Sequence, residues 1–387
     1  MSLRLFPLLL ALLTAGATEA APPRLPVVDP SAAGANPRRL AIIDDLVARA
    51  IRDRQMPGCV IAVGRHGKLC FLKAYGDRAI EPEREPMTTD TVFDLASLTK
   101  PIATATSVAL LIDAGKLSLD DRVVRQLPEF APHGKDEISL LQLLTHQTGL
   151  IPDNRIEDYQ DGPEHAWKQL CNLELRNPPG KKFEYSDVNF IVLGKAIERV
   201  TERPLDEFTR EKIFAPLGMS ETGYRPGPEL SRRAAPTERR DGNWLRGQVH
   251  DPRCALLGGV AGHAGLFSTA EDLAVYAQML LNGGEYGGVR VLSREAVERM
   301  FAPHEVSSGL RSAGWDMRTG FSSNRGDLMS PRAVGHGGFT GTALWIDPEL
   351  DMFIIFLSNR VHPDGKGLVN PLIGRISTVA ISAFTDE

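Results

Sequence analysis

The hydrophobic pattern changes character along the chain, and the changes predict its layout. After Asn36-Pro37, the positions Leu40, Ile43, Leu46, Val47, Ala50 and Ile51 recur at helical spacing, which predicts an amphipathic helix. Cys59–Arg65 and Lys68–Tyr75 read as two strands joined at His66-Gly67, a two-residue turn that would place Cys70 opposite Val63. Pro101–Ile112 is apolar over a helical length and is closed by Gly115, so a helix opening at Ser97 is expected. From about Gly115 to Arg253 the pattern is one of helices and loops, including helices over Asp187–Thr201 and Pro204–Phe214. Ser268 and Glu271 stand at capping-box spacing before a helix over Leu273–Leu281. Thr342–Ile346 and Met352–Leu357 are β-type runs on either side of Asp347-Pro348-Glu349-Leu350-Asp351. Strands at both ends with helices between them predict one α/β domain, residues 36–387, carrying a helical insertion over about 115–253.

The N-terminus adds a compartment to this picture. Met1–Arg4 is positively charged, Leu5–Ala15 is apolar, and Thr18-Glu19-Ala20-Ala21 offers small residues for cleavage, so residues 1–20 read as a secretory signal peptide. An exported protein, periplasmic or secreted, is therefore expected. No later apolar run has the length of a bilayer span, so no integral span is expected in the mature chain. A formal charge of −5 gives no electrostatic footprint for nucleic acid, and Arg232-Arg233 and Arg239-Arg240 read as solvated surface. The four cysteines, Cys59, Cys70, Cys171 and Cys254, are too few and scattered for a disulfide scaffold or a paired zinc motif, and read as buried thiols.

Candidate chemistry begins at Ser97-Leu98-Thr99-Lys100, since Ser97 is the only serine with a lysine three residues on. On a helix that spacing brings the amine to the hydroxyl, and an alcohol needs such a base to become a nucleophile. A helix N-terminus also disfavours an ammonium ion and offers N–H groups to an oxyanion. Taken alone, the same four residues describe an N-capping serine followed by a solvated lysine. Tyr185, in Tyr185-Ser186-Asp187, could relay a proton between serine and leaving group, although a lone tyrosine is more often core. His336-Gly337-Gly338 lets a substrate approach the backbone closely, or else marks a Gly-rich bend. No His-Glu-x-x-His occurs, and no metal or organic cofactor is expected.

Six segments in order decide between these readings: Phe93–Lys100, Leu143–Leu150, Phe183–Phe190, Pro216–Met219, Gly262–Thr269 and Gly335–Gly341. Together they resemble the serine β-lactamase-related family, on its class C β-lactamase, esterase and DD-peptidase side. His250-Asp251-Pro252-Arg253 and Leu257–His263 look most like periplasmic esterase-like penicillin-binding proteins and N-acetylmuramoyl-L-alanine amidases of muropeptide salvage. The resemblance implies an antiparallel sheet flanked by helices, a mostly helical subdomain, and a site between them. It implies Ser97 as nucleophile, Lys100 and Tyr185 as catalytic partners, and an oxyanion hole from the N–H groups of Ser97 and Phe339. His336 falls in the third motif, where β-lactamases usually carry Lys-Thr-Gly; it is assigned to catalysis, and Gly337 and Gly338 to substrate binding. Asp187 replaces the usual Asn of Tyr-x-Asn, and as a carboxylate it would hold Lys100 as an ammonium, leaving open which of Lys100 and Tyr185 is the resting base. His250 is a candidate substrate contact or loop-stabilising group, and Arg360 a candidate carboxylate anchor or surface ion pair. The expected function is a Ser97 acyl-enzyme hydrolase acting on small peptidoglycan-derived amides, of muramyl peptide amidase or DD-peptidase type. A carboxylic ester hydrolase is one alternative, and a catalytically silent muropeptide-binding protein is another.

Overall fold

A computed structural model describes residues 22–385, so the expected signal peptide lies outside the described residues. Asn36 caps the first helix, its side-chain oxygen accepting from the N–H groups of Arg38 (3.0 Å) and Arg39 (3.3 Å). Pro37–Leu40 then runs with a break at Ala41 into Ile42–Arg52, whose Ile43, Val47 and Ala50 are buried.

The sheet explains why strand signals occur at both ends of the sequence. In spatial order it holds His304–Val306, Gly309–Arg311, Asp316–Arg318, Val334–Gly338, Thr342–Asp347, Met352–Ser358, Gly58–Arg65, Lys68–Ala79 and Glu85–Pro86, every neighbouring pair antiparallel. The C-terminal strand Met352–Ser358 pairs with the N-terminal Gly58–Arg65, Cys59 facing Ser358 and Arg65 facing Met352. Both central strands are covered on both faces, which is why their sequences are nearly unbroken apolar runs. Phe353, Ile355 and Leu357 point into one core layer with Leu98, Ile102 and the Ala270–Leu281 helix. Met352, Ile354 and Phe356 point into the other, with Ile43, Val47, Ile373 and Ile376 from the N- and C-terminal helices. The first layer continues without a break into Leu143, Leu150, Phe190 and Val192 of the helical segment. The helical part therefore grips the sheet through the apolar run that follows Ser97.

Three local expectations shift. Cys70 sits at a bulge: Val63 pairs with Phe71 and Gly64 with Leu69, so Cys70 slips out of register and its thiol donates to Val63 O at 3.3 Å. Helix Ala270–Leu281 is capped by Thr269, which accepts from Asp272 N, while Ser268 ends strand Leu266–Ser268 and is hydrogen-bonded to Thr222 at 2.7 Å. The stretch expected as a helix from Ser97 is a tight turn over Ala96–Leu98, a widened turn over Lys100–Ala105 and an α-helix over Thr106–Asp113. Pro101 supplies a reason, because it has no N–H to donate and its ring crowds the preceding turn.

The four cysteines are buried free thiols. Burial pushes Cys70 and Cys171 up to about 11 and pushes Cys59 and Cys254 further. At pH 8 none is a thiolate, so a thiol-reactive disulfide such as Ellman's reagent should titrate essentially none in the native protein and all four after unfolding. Stoichiometric reaction of the folded protein within seconds would contradict the burial described here.

Candidate active site

Ser97 stands on a strained turn. Ala96, immediately before it, has φ +46°, a left-handed conformation uncommon for a residue with a Cβ. Hydrogen bonds from several directions hold that turn. Asp94 Oδ1 accepts from Ala96 N at 2.8 Å and Oδ2 from His250 N at 2.7 Å. Thr340 Oγ1 donates to Asp94 O (2.7 Å), Thr342 Oγ1 to Leu95 O (3.1 Å), and Leu266 N to Thr99 Oγ1 (3.1 Å). Burial pushes the Asp94 carboxyl up to about 6 despite its two backbone donors. Gly338 is required for this approach: a Cβ there would lie 2.4 Å from Leu95 O and 2.2 Å from Thr342 Oγ1. The next residue, Phe339, follows strand Val334–Gly338 and lines the same cavity as Ser97.

Lys100 is fully buried, and its ammonium donates hydrogen bonds to two oxygens and is ion-paired with a carboxylate, the three groups coming from separate parts of the chain. Nζ lies 2.9 Å from Ser97 Oγ, 3.0 Å from His263 O and 2.5 Å from Asp187 Oδ1. Burial pulls the lysine pKa down, but Asp187 and Tyr185 outweigh it and the net shift is upward, so Lys100 is an ammonium at neutral pH. Asp187 reaches this place as the first residue of helix Asp187–Thr201, where a carboxylate also suits the helix dipole. Ser186 caps that helix and donates its hydroxyl to Ile151 O at 2.6 Å. Asp187, Asp251 and His263 bring donor atoms within 4.8 Å of one another, a grouping that could hold a cation; the Lys100 ammonium already pairs with Asp187 there.

Tyr185 lies in a stack of rings. Its centroid is 4.8 Å from Phe321, 4.5 Å from His146 and 5.9 Å from His336, with Lys100 Nζ 5.1 Å above the ring. Burial pushes its pKa up, and although Lys100 and Ser97 pull the other way, the net shift is upward, so the resting group is a neutral phenol. His336 Nδ1 donates to Gly337 O at 2.7 Å, leaving Nε2 as its acceptor nitrogen. Burial, with Arg311 and Lys100 adding repulsion, holds its pKa well below the usual value, so His336 is neutral near pH 7. A cavity of about 340 Å³ joins these groups, lined among others by Ser97, Tyr185, His336, Gly337, Phe339 and Arg360.

The structure brings together Ser97, Lys100, Tyr185, Asp187, His336, Gly337, Gly338, Phe339 and Arg360. His250 has a structural part: its backbone holds Asp94, its ring lies 3.3 Å from Glu238 and stacks 5.3 Å from Phe339. Arg360 makes no surface ion pair among the described residues; it donates to Gly367 O at 3.1 Å and covers the exposed Phe339 ring at 4.5 Å. Sequence reasoning missed His146, His263, Arg311 and Asn324. His146 accepts on Nδ1 from Ser186 N (3.1 Å) and Asn189 Nδ2 (3.3 Å), fixing the backbone beside Tyr185. His146 and His263 both fall in motifs that were visible, whereas Arg311 and Asn324 carry no local signal.

Comparison with known proteins agrees with this geometry. The Beta-lactamase family model matches residues 43–375. An Escherichia coli (strain K12) protein provisionally named a D-alanyl-D-alanine carboxypeptidase is 33% identical over 377 residues, covering 88% of this chain and 86% of its own. A Bacillus subtilis (strain 168) N-acetylmuramyl-L-alanine amidase is 32% identical over 374 residues, covering 87% and 84%. Among solved structures, a penicillin-binding protein homologue from Caulobacter crescentus superposes with a TM-score of 0.74 at 22% identity, covering 90% of this chain and 98% of its own. A class C β-lactamase does so at 0.75 and 18%, covering 90% and 97%, which fixes the fold. A sheet flanked by helices, a serine and lysine in contact beside its strands, and a family match over most of the length lead to one conclusion: the chain belongs to the β-lactamase family and is a serine hydrolase.

Proposed function

We propose that this serine hydrolase is exported and cleaves small peptidoglycan-derived amides through an acyl-enzyme on Ser97. The observation that carries the mechanism is the 2.9 Å contact between Ser97 Oγ and a Lys100 amine that is itself 2.5 Å from Asp187. The substrate class rests on the names of the two relatives, both of which describe peptidoglycan amide bonds. Export rests on the reading of residues 1–20, and no helix among the described residues is long and apolar enough to cross a membrane.

The proton inventory follows from the charges. Lys100 rests as an ammonium and Tyr185 as a phenol, so neither is a free base. Shifting one proton from Lys100 to Asp187 turns the ion pair into a neutral amine and a carboxylic acid without changing net charge. The amine then takes the Ser97 proton as Oγ attacks the carbonyl, and the Ser97 and Phe339 N–H groups receive the oxyanion. Tyr185 donates its phenol proton to the departing nitrogen and regains one from Lys100, and Asp187 returns its proton to the lysine as the acyl-enzyme forms. Water then enters by the reverse route and releases the acid. Asp187 thus serves as the proton reservoir behind the lysine.

An active-site phosphonate should label the wild type on one serine, and Ser97→Ala should abolish both labelling and turnover by intact-mass analysis. Lys100→Ala and Tyr185→Phe should each slow acylation ~10²–10⁴-fold. A normal rate in either variant would remove that residue from the mechanism.

Asp187→Asn takes away the partner that raises the Lys100 pKa while leaving the burial that lowers it. Lys100 should then titrate nearer neutrality, and kcat/KM should rise with pH through that new ionisation, because only the neutral amine accepts the serine proton. The wild type, with lysine protonated throughout, should show no such limb between about pH 7 and 10. Superimposable pH profiles would rule out Asp187 as the reservoir.

Purified muramyl peptides should be cleaved with higher kcat/KM than short-chain nitrophenyl esters. Some ester turnover is compatible with this reading, since a good leaving group needs little proton donation. An intact muropeptide panel alongside efficient hydrolysis of natural esters would replace the amidase reading with an esterase, and binding without turnover of either would identify a silent binder.

A further inference from the structure

Among the described residues, three of the large apolar side chains left exposed, Phe321, Phe339 and Leu368, line one cavity, and it is the cavity that holds Ser97. One exposed apolar residue needs no explanation, but three around one concave site mark a surface that a ligand covers. Phe339 is already engaged, stacked on His250 and covered by Arg360. Phe321 is the one set against the proton-transfer groups. Its ring lies 24° from parallel to Tyr185 with the centroids 4.8 Å apart, and Phe183 meets it nearly edge-on, at 77° and 5.9 Å.

Phe321 belongs to the turn after strand Asp316–Arg318, and hydrogen bonds hold that turn in place. Both carboxylate oxygens of the buried Asp316 serve it, Oδ1 accepting from Thr319 Oγ1 at 2.9 Å and Oδ2 from Ser322 Oγ at 2.7 Å. Thr319 Oγ1 in turn accepts from Phe321 N at 3.1 Å, and Ser322 Oγ accepts from Thr319 N at 2.8 Å. The ring is thus presented to the cleft at a fixed position although 53% of the residue's surface is bare. Apolar area kept in water is unfavourable in the free protein, and a bound apolar group relieves it.

We propose that Phe321 determines specificity on the leaving side of the bond: its ring packs against the side chain of the residue whose nitrogen Tyr185 protonates. The proposal rests on the serine-hydrolase mechanism given above and deepens it. A phenol that hands its proton to the departing nitrogen lies within hydrogen-bond reach of that nitrogen, and the carbon bearing the leaving residue's side chain is one bond further on. Phe321, stacked on Tyr185, is the exposed apolar surface beside that carbon. A phenyl ring has neither donor nor acceptor. It rewards a methyl or ethyl group, gives nothing to glycine, and strips water from a charged side chain without replacing it. The cavity of about 340 Å³ must also hold the rest of the substrate, so the side chain selected is small. The class is therefore amides of small apolar amino acids, which alanine, released from N-acetylmuramyl-L-alanine or from a terminal D-alanyl-D-alanine, satisfies.

The test varies only the leaving residue, in N-acetylmuramyl-X and diacetyl-L-lysyl-D-alanyl-X, with X glycine, alanine or 2-aminobutyrate, of L hand in the first series and D in the second. In at least one series the wild type should prefer alanine to glycine by about 3- to 10-fold in kcat/KM, as expected for one methyl on a partly open apolar surface, and should accept aminobutyrate at least as well as alanine. Phe321→Ala should bring the alanine-to-glycine ratio to about one, and Phe321→Leu should keep part of it, with melting curves confirming a folded protein. If Phe321→Ala does not fold, Phe321→Gln, which keeps bulk without the apolar ring, takes its place. Were Phe321 merely a support for Tyr185, its loss would slow glycine and alanine substrates alike. A ratio that survives in the variant therefore overturns the proposal, as does a wild type indifferent to the methyl. If neither amide series is cleaved, the matching esters decide by the same ratio, with lactate against glycolate as the leaving alcohol. Phosphonate labelling of Ser97 without any methyl preference overturns the role of Phe321 alone, whereas a wild type that does not label overturns the hydrolase mechanism and this proposal with it.

Discussion

A buried ammonium held against a serine is the interaction on which the rest of this structure depends. Lys100 has no solvent to relieve its charge, and desolvating an ion is tolerable only when its partners are placed in advance. They come from three separate segments: Ser97 from its own turn, Asp187 from the start of a helix in the helical part, and His263 through its carbonyl from a Gly-rich loop. Removing any of these leaves a charge or a donor stranded in the interior. The close packing of the helical part on the sheet is therefore a condition for Lys100 to be where it is.

The same constraint accounts for several local irregularities. Ala96 at φ +46° and the widened turn over Lys100–Ala105 bring serine and lysine to one side without a regular helix start. The glycines at 337 and 338 then let a strand pass where side chains would collide, one with the Asn324 amide and the other with Leu95 O. Strain in the turn is opposed by the Asp94 side chain within it and by Thr340 and Thr342, which tie it to the strand end after Gly338. Local preference is overruled here by the requirements of the site.

Much of this was legible in the sequence because it is periodic or contiguous. The strands at both ends and helix Asp187–Thr201 follow from spacing alone, and ordered motifs settled the pairing of Ser97 with Lys100 and located Tyr185 and the His336 strand. What escaped was set by contacts across the chain. The bulge that displaces Cys70 and the cap that moves to Thr269 depend on cross-strand register and on partners such as Thr222 and Asp272. Arg311 and Asn324 were invisible for the same reason: an arginine in a short strand and an asparagine in a loop acquire meaning only once the sheet sets them against the cleft. The sequence did carry the Asp187 substitution and its electrostatic consequence for Lys100, since a carboxylate beside an amine raises the amine's pKa wherever the pair is buried.

Two buried cations, Lys100 and Arg311, act on the neutral rings of the cleft. Both push the pKa values of His146 and His336 down after burial has already done so. Tyr185, His146 and His336 are therefore all uncharged as they pack together, which lets them share one apolar stack. The two cations differ in how they are balanced. Asp187 lies 2.5 Å from Lys100 and can exchange a proton with it, whereas Asp316 lies 3.7 Å from Arg311 and is occupied by three other donors. One cation is thus built for proton traffic and the other for holding a fixed charge, because lysine can give up its proton in a protein interior and arginine cannot.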